Sequence, residues 1–258
     1  MKDNIFISIP VEYLEHEIRL IKKYKFNLEL KIFSNHLDSL SLYDFIALYE
    51  NIKSLNLRLS IHAPFIDMSP GSFDEKIRKV TLERFLKVLD IAAIFKPENI
   101  IFHTGYIDAI QGWFFDMWID ESYKTWKIII DYCKKLHQKI SIENVFEKNT
   151  VVHERLLKKI KSKLIGVCFD VGHHNVFGEI ELEKWFKKFR DKIFEVHIHD
   201  NDGTFDWHKA VGEGNIDFYK IFKLIKKYCP EALLTLEAHD KDTMLKTYEN
   251  VIKILEKI

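Results

Sequence analysis

The sequence predicts an α/β protein folded as one closed barrel of eight parallel strands and eight helices. Three observations lead there. The chain has 258 residues, long for one sandwich and typical of one such barrel. Short apolar runs alternate with amphipathic stretches throughout, with no Pro/Gly/Ser-rich linker, so residues 1–258 read as a single domain. Six of the apolar runs stop at an imidazole or a carboxylate: His62, His103, Glu143, Asp170, His197 and Glu237. A barrel places all those strand ends on its C-terminal rim, where active sites of this architecture form. An open doubly wound sheet is the main alternative.

In chain order, strands fit near 5–9 (IFISI), 27–32 (NLELKI), 58–62 (RLSIH) and 99–103 (NIIFH). Four more fit near 139–143 (KISIE), 164–170 (LIGVCFD), 194–199 (FEVHIH) and 233–237 (LLTLE). Their Ile/Leu/Val/Phe content suits parallel strands buried on both faces. Between them, apolar residues recur every three or four positions, as helices require. VEYLEHEIRLIKKY, VTLERFLKVLDIAAIF, DESYKTWKIIIDYCKKL and DFYKIFKLIKKY are examples, and TMLKTYENVIKILEKI reads as a closing helix.

Lys+Arg and Asp+Glu both total 39, so the formal net charge is zero and lacks the basic excess of a nucleic-acid partner. Three cysteines without CxxC spacing suit a reducing compartment. MKDNIFISIP lacks the apolar stretch of a signal peptide, and no run approaches a membrane span. These features lead us to expect a soluble cytoplasmic protein with a small-molecule substrate and neither a nucleic-acid nor a membrane partner. They are silent on oligomeric state.

Imidazole nitrogen combined with carboxylate oxygen suits borderline divalent ions, Zn²⁺ first, with Mn²⁺ or Fe²⁺ as alternatives. Beyond the six rim residues, Asp170-Val-Gly-His173 places a further ligand one turn past its strand. Asp206-Trp-His208 adds two more, which an extended backbone would point to one side. Nine candidates suffice for up to three ions when carboxylates bridge. Clustered divalent ions suit phosphoester cleavage. One ion between two carboxylates suits proton shuttling at carbon, as in isomerisation and epimerisation.

The motifs HAPFIDMSPG, ENVFE, DVGHHN, HIHDNDG, DWHKAVGEGNI and TLEAH resemble the xylose-isomerase-like TIM-barrel superfamily, which includes endonuclease IV and sugar isomerases and epimerases. The resemblance covers essentially the whole chain and is strongest from His62 to Glu237. It implies one ion on His62, His103 and Glu143. A second would share Glu143 and add Asp170, His197 and Glu237, and a third would use His173, Asp206 and His208. The pattern also resembles a branch labelled sugar phosphate isomerase/epimerase, which includes cobamide-remodelling phosphodiesterases. Retention of all nine positions favours a metal-dependent phosphoester hydrolase acting on a small phosphodiester such as a cobamide nucleotide loop, with Glu143 and Glu237 catalytic. The alternative is a single-metal sugar or sugar-phosphate isomerase/epimerase using the same two glutamates. Abasic-site DNA cleavage is weaker, since no equivalent of DNA-intercalating loops is evident. His199, His239, Trp113 and Trp118 are candidates for substrate contact. Asp200, Asp202 and Glu213 are candidates for supporting hydrogen bonds.

Overall fold

A computed structural model describes residues 1–258. The strands are β1 (Ile5–Pro10), β2 (Asn27–Lys31), β3 (Leu59–His62), β4 (Ile100–His103), β5 (Ile140–Glu143), β6 (Ile165–Asp170), β7 (Ile193–Ile198) and β8 (Leu233–Leu236). They close in sequence order, each parallel to its neighbours, with β8 returning to β1. The chain is a (β/α)₈ TIM barrel.

The helices are α1 (Ile18–Tyr24), α2 (Ser34–Ser39), α3 (Leu42–Lys53), α4 (Glu75–Phe95), α5 (Asp108–Gln111) and α6 (Phe115–Leu136). They continue as α7 (Val151–Ile160), α8 (Val171–Phe177), α9 (Leu182–Phe189), α10 (Phe218–Tyr228) and α11 (Lys241–Leu255). That is more than the eight expected from the count. Short α2, α5 and α8 are additions in the loops that follow β2, β4 and β6. The helix expected over 11–24 is broken: a 3₁₀ turn at Val11–Tyr13 precedes α1. Side chains of Asp74, Asp217 and Asp240 accept backbone N–H bonds at the starts of α4, α10 and α11.

Two layers of side chains hold the barrel, and they differ in kind. Outside, strand residues pack beneath the helices, as Phe102 does against Phe85 and Trp126 at ring separations of 4.6 and 5.7 Å. Inside, the strands carry a buried polar layer instead of the apolar filling expected of such a barrel. Glu29 accepts from Ser8 at 2.6 Å. Glu195 accepts from Ser60 at 3.1 Å, Asn99 at 2.9 Å and Thr235. Ser141 donates to Asn99 at 3.1 Å. The expectation of strands apolar on both faces is therefore corrected for the barrel interior. These groups are tolerated because each finds a partner.

Candidate metal centre

Strand register assembles the rim. His103 pairs with Glu143 across β4–β5, Asp170 with His197 across β6–β7, and Lys31 with His62 across β2–β3. Partners in register share a sheet face, so all of these converge on the barrel mouth. Glu237 follows β8 directly, and its N–H still bonds Ile198 O at 3.1 Å.

Glu143 is the hub. Its Oε2 lies 3.2 Å from His62 Nε2 and 3.3 Å from His103 Nε2. Its Oε1 lies 3.1 Å from His173 Nδ1 and 3.4 Å from His197 Nδ1. Burial alone would raise this carboxyl. The surrounding imidazoles, His197 and His103 foremost, outweigh burial and hold it well below the usual carboxylate range.

His197 is fully buried and anchored from within the barrel. Its Nε2 donates to Glu29 Oε2 at 2.9 Å. Its Nδ1 has no hydrogen-bond partner, yet three carboxylates surround it. Glu143 Oε1 is 3.4 Å away, Asp170 Oδ2 3.7 Å and Glu237 Oε1 3.7 Å. Lys31 Nζ lies 2.8 Å from Glu237 Oε1. Burial would lower this lysine, but Glu237 and Glu29 together outweigh burial and raise it.

A second cluster joins His173, His199, Asp206 and His208. Asp170 caps α8 by accepting the His173 N–H at 2.6 Å, so the strand end and the first helical turn together aim the His173 ring at the rim. Position 172 must be glycine: a Cβ there would lie 1.9 Å from the His199 ring. Asp206 Oδ2 lies 3.3 Å from His173 Nε2 and 3.1 Å from His208 Nε2.

The extended Asp206–His208 segment expected from sequence is corrected. Trp207 N–H bonds Phe205 O at 3.0 Å in a tight turn, and His208 is left-handed at φ 48°. A left-handed non-glycine residue costs about 1–2 kcal/mol. Asp200 supports the conformation from below by accepting N–H bonds from Gly212 and Gly214, both at 2.9 Å, and from Ile216 at 3.3 Å. Asp202 instead pairs with Lys209 and Glu213 with Lys246, both outside the cluster.

The other expected contacts divide. His199 is fully buried inside the cluster, with Nε2 3.1 Å from both Asp170 oxygens, and stacks on His208 at 3.8 Å. His239 stacks on the other face of His208 at 4.5 Å and lines the cavity above. Trp118 does not face a ligand: it is 0% exposed, packed on Tyr106 and close against Gly71 in the core. Trp113 is 93% exposed and lines neither cavity at the site. The reason lies in periodicity. Trp118 falls on the buried face of α6, whereas Trp113 lies in the 3₁₀ turn before it. Sequence reasoning missed Glu29 and Lys31, although both are polar residues at alternate positions of a strand otherwise apolar.

Of the ten buried side-chain polar atoms that lack hydrogen-bond partners, four lie here: His197 Nδ1, His199 Nδ1, Asp206 Oδ1 and His208 Nδ1. Each such orphan costs about 1–3 kcal/mol. These four belong to the two clusters, where a cation would satisfy them, and the other six lie on Trp118, Glu121, His153, His174 and Trp185. The donor set of imidazole nitrogens and carboxylate oxygens therefore fits divalent ions.

Two cavities open on these clusters. One, of about 590 Å³, is lined by Lys31, Phe33, Glu143, Glu237 and His239 among others. The second, of about 1150 Å³, extends over the loops after β3 and β4. Phe65, His103, His173 and Asp206 line both.

A family model described as xylose isomerase-like TIM barrel matches residues 19–258. The uncharacterized protein MJ1311 of Methanocaldococcus jannaschii is 30% identical over 207 residues, which is 78% of this chain and 71% of that protein. A crystal structure of a D-tagatose 3-epimerase-like protein superposes with a TM-score of 0.86 at 26% identity, covering 98% of this chain and 97% of that one. The TTHB071 protein from Thermus thermophilus, soaked with ZnCl₂, has a TM-score of 0.81 at 20% identity, covering 97% and 98%. No helix is long and apolar enough to cross a membrane.

Proposed function

Because the chain belongs to the xylose isomerase-like TIM barrel family, we propose that it is a metal-dependent epimerase or isomerase of a sugar or sugar phosphate. Glu143, Asp170, His197 and Glu237 would hold the ion. The observation that carries this reading is His197 Nδ1, buried, without a hydrogen-bond partner and ringed by three carboxylates. A divalent ion, when bound, polarises a carbonyl or hydroxyl of the substrate. Glu143 and Glu237 then move a proton to and from carbon, each from a different strand end of the rim. Lys31 keeps Glu237 ionised before it accepts the proton. The likeness to the D-tagatose 3-epimerase-like structure supports this side, so the order of the two sequence-based readings is reversed.

The second reading is phosphoester hydrolysis, with a cobamide or another nucleotide-containing phosphodiester as substrate. It is favoured by the His173/His199/Asp206/His208 cluster, a second ligand set beside Glu143, Asp170, His197 and Glu237. Zn²⁺ is the first ion to test, with Mn²⁺ and Fe²⁺ beside it, and up to three ions would fit the nine expected ligands.

The deciding experiment follows turnover of candidate ketoses, ketose phosphates and the phosphodiester bis(4-nitrophenyl) phosphate in D₂O by NMR. Deuterium entering the product at carbon, with Asp206→Ala retaining most turnover, supports the isomerase. Release of a phosphoester product without deuterium at carbon, abolished by Asp206→Ala, replaces it with the hydrolase.

A further inference from the structure

The cavity of about 1150 Å³ is larger than a bound monosaccharide needs, and part of its wall is apolar. Beside polar groups such as Asp67, Lys76 and Arg84, this wall presents Ile77, Val80, Phe146 and Phe205, which offer nothing to a sugar hydroxyl. Those side chains are 47%, 51%, 44% and 59% exposed, although each faces a concavity that opens on the metal-ligand clusters. Large apolar side chains left uncovered together mark a binding surface. The smaller chamber, whose lining is equally apolar overall, brings together Lys31, Glu143, Glu237, His239 and Asp240, groups suited to hydroxyls or phosphate.

Phe65 stands between the two chambers and lines both. Its ring stacks on His103 at 4.7 Å and meets His62 edge-on at 5.3 Å. A molecule reaching from one chamber into the other must pass over this ring and over His173 and Asp206. The reacting part and the apolar part of one ligand would therefore straddle the clusters.

We propose that the larger chamber is a subsite for a planar aromatic group covalently attached to the sugar or sugar phosphate, so that the substrate is an aromatic conjugate and not a free sugar. This rests on the sugar-directed reading above and deepens it. The rings of Phe65, Phe146 and Phe205 offer stacking and edge contacts, and Ile77 and Val80 on α4 close the far side. Binding energy collected there, away from the reacting carbon, holds the sugar end in place for proton transfer.

The test uses saturation-transfer NMR on the zinc-loaded protein with 4-nitrophenol, 4-nitrophenyl β-D-glucopyranoside and methyl β-D-glucopyranoside. Saturation should reach the ring protons of both nitrophenyl probes. Val80→Asp and Ile77→Asp, both at exposed positions of α4, should weaken ring binding roughly tenfold, because a charge replaces an apolar contact. The methyl glucoside signal should be the same in wild type and both variants. Absence of ring saturation in the wild type, or equal ring saturation in wild type and variants, overturns the proposal. So does a wild-type dimer that Val80→Asp dissociates, which would assign the patch to a second copy of the chain. Ring binding with no deuterium at a sugar carbon in any candidate substrate would sink the epimerase reading and leave the aromatic subsite standing.

Discussion

Glu29 Oε2 receives the Nε2–H of His197 at 2.9 Å, and this contact fixes which nitrogen of His197 faces the rim. A carboxylate can only accept, so Nε2 carries the proton and Nδ1 is left free among Glu143, Asp170 and Glu237. The residue that orients the candidate ligand thus lies one layer deeper, on β2.

Glu29→Gln should lower zinc affinity about 10–100-fold, the usual effect of losing an orienting partner. Competition with a chromogenic chelator would give the affinity, and ¹⁵N shifts of His197 would report its tautomer. Unchanged affinity with an unchanged tautomer would remove Glu29 from this role.

Zinc binding should release protons and strengthen with rising pH. Burial opposes the charged form of His173, His197 and His199. Asp170, Asp206 and Glu143 together outweigh it at His173, as do Asp170, Asp206 and Glu237 at His199 and Cys168, Glu143 and Glu29 at His197, and all three rings are raised above the ordinary imidazole value. Their folded-state values exceed the unfolded ones, so the stability they give the metal-free protein is full below about pH 6.5 and is lost as pH climbs through the raised values. Metal-free protein should melt lower at pH 8 than at pH 6, and added Zn²⁺ should reverse that loss. Calorimetry in buffers of different ionisation enthalpy would count the protons. A pH-independent zinc affinity would contradict the scheme.

Glu147 supplies a separate pH effect beside the site. Burial pushes its carboxyl up to about 7, against bonds from Thr104 and from Val145 N–H that favour the ionised form. The folded chain therefore binds this proton more tightly than the unfolded chain. Stability from this group is full below about pH 4.5 and falls as pH rises through 7. Glu147→Gln should stabilise the protein at pH 8 by up to about 3 kcal/mol, at 1.36 kcal/mol per pKa unit, and much less at pH 4.5. Urea midpoints at the two pH values would show it.

Gly71→Ala should destabilise without touching the clusters. The added Cβ would lie 2.5 Å from the indole of Trp118, which is fully buried and cannot move aside cheaply. Overpacking of this kind costs about 1–3 kcal/mol. The melting temperature should fall by several degrees while zinc affinity is kept.

Much of this was legible because the barrel is a repetitive object. Runs such as IIFH and ISIE declare buried strands, and the polar residue closing each marks the rim. Helix ends were harder to read. Four helices stop at left-handed residues that are not glycine, namely Lys25, Lys96, His137 and Lys161, so the usual stop signal is missing. The turn at His208 was illegible for a similar reason, since its left-handed backbone is imposed by the loop held on Asp200. Trp113 and Trp118 misled because an aromatic run near a rim looks the same whether it faces a ligand or the core. Glu29 and Lys31 were hidden by how seldom a barrel interior carries charge.

The polar layer inside the barrel also acts as a key for strand alignment. Ser8 and Glu29 face each other across β1–β2, Glu29 and Ser60 across β2–β3, and Glu195 reaches Ser60, Asn99 and Thr235 at once. Sliding any of these strands by one residue would turn its polar group outward into the apolar layer beneath the helices. A mis-threaded barrel would bury several unpaired carboxylates and hydroxyls on the wrong side of the wall. The same layer that steadies His197 therefore penalises every neighbouring alignment, and the rim that carries the chemistry inherits its accuracy from that selection against slipped threadings.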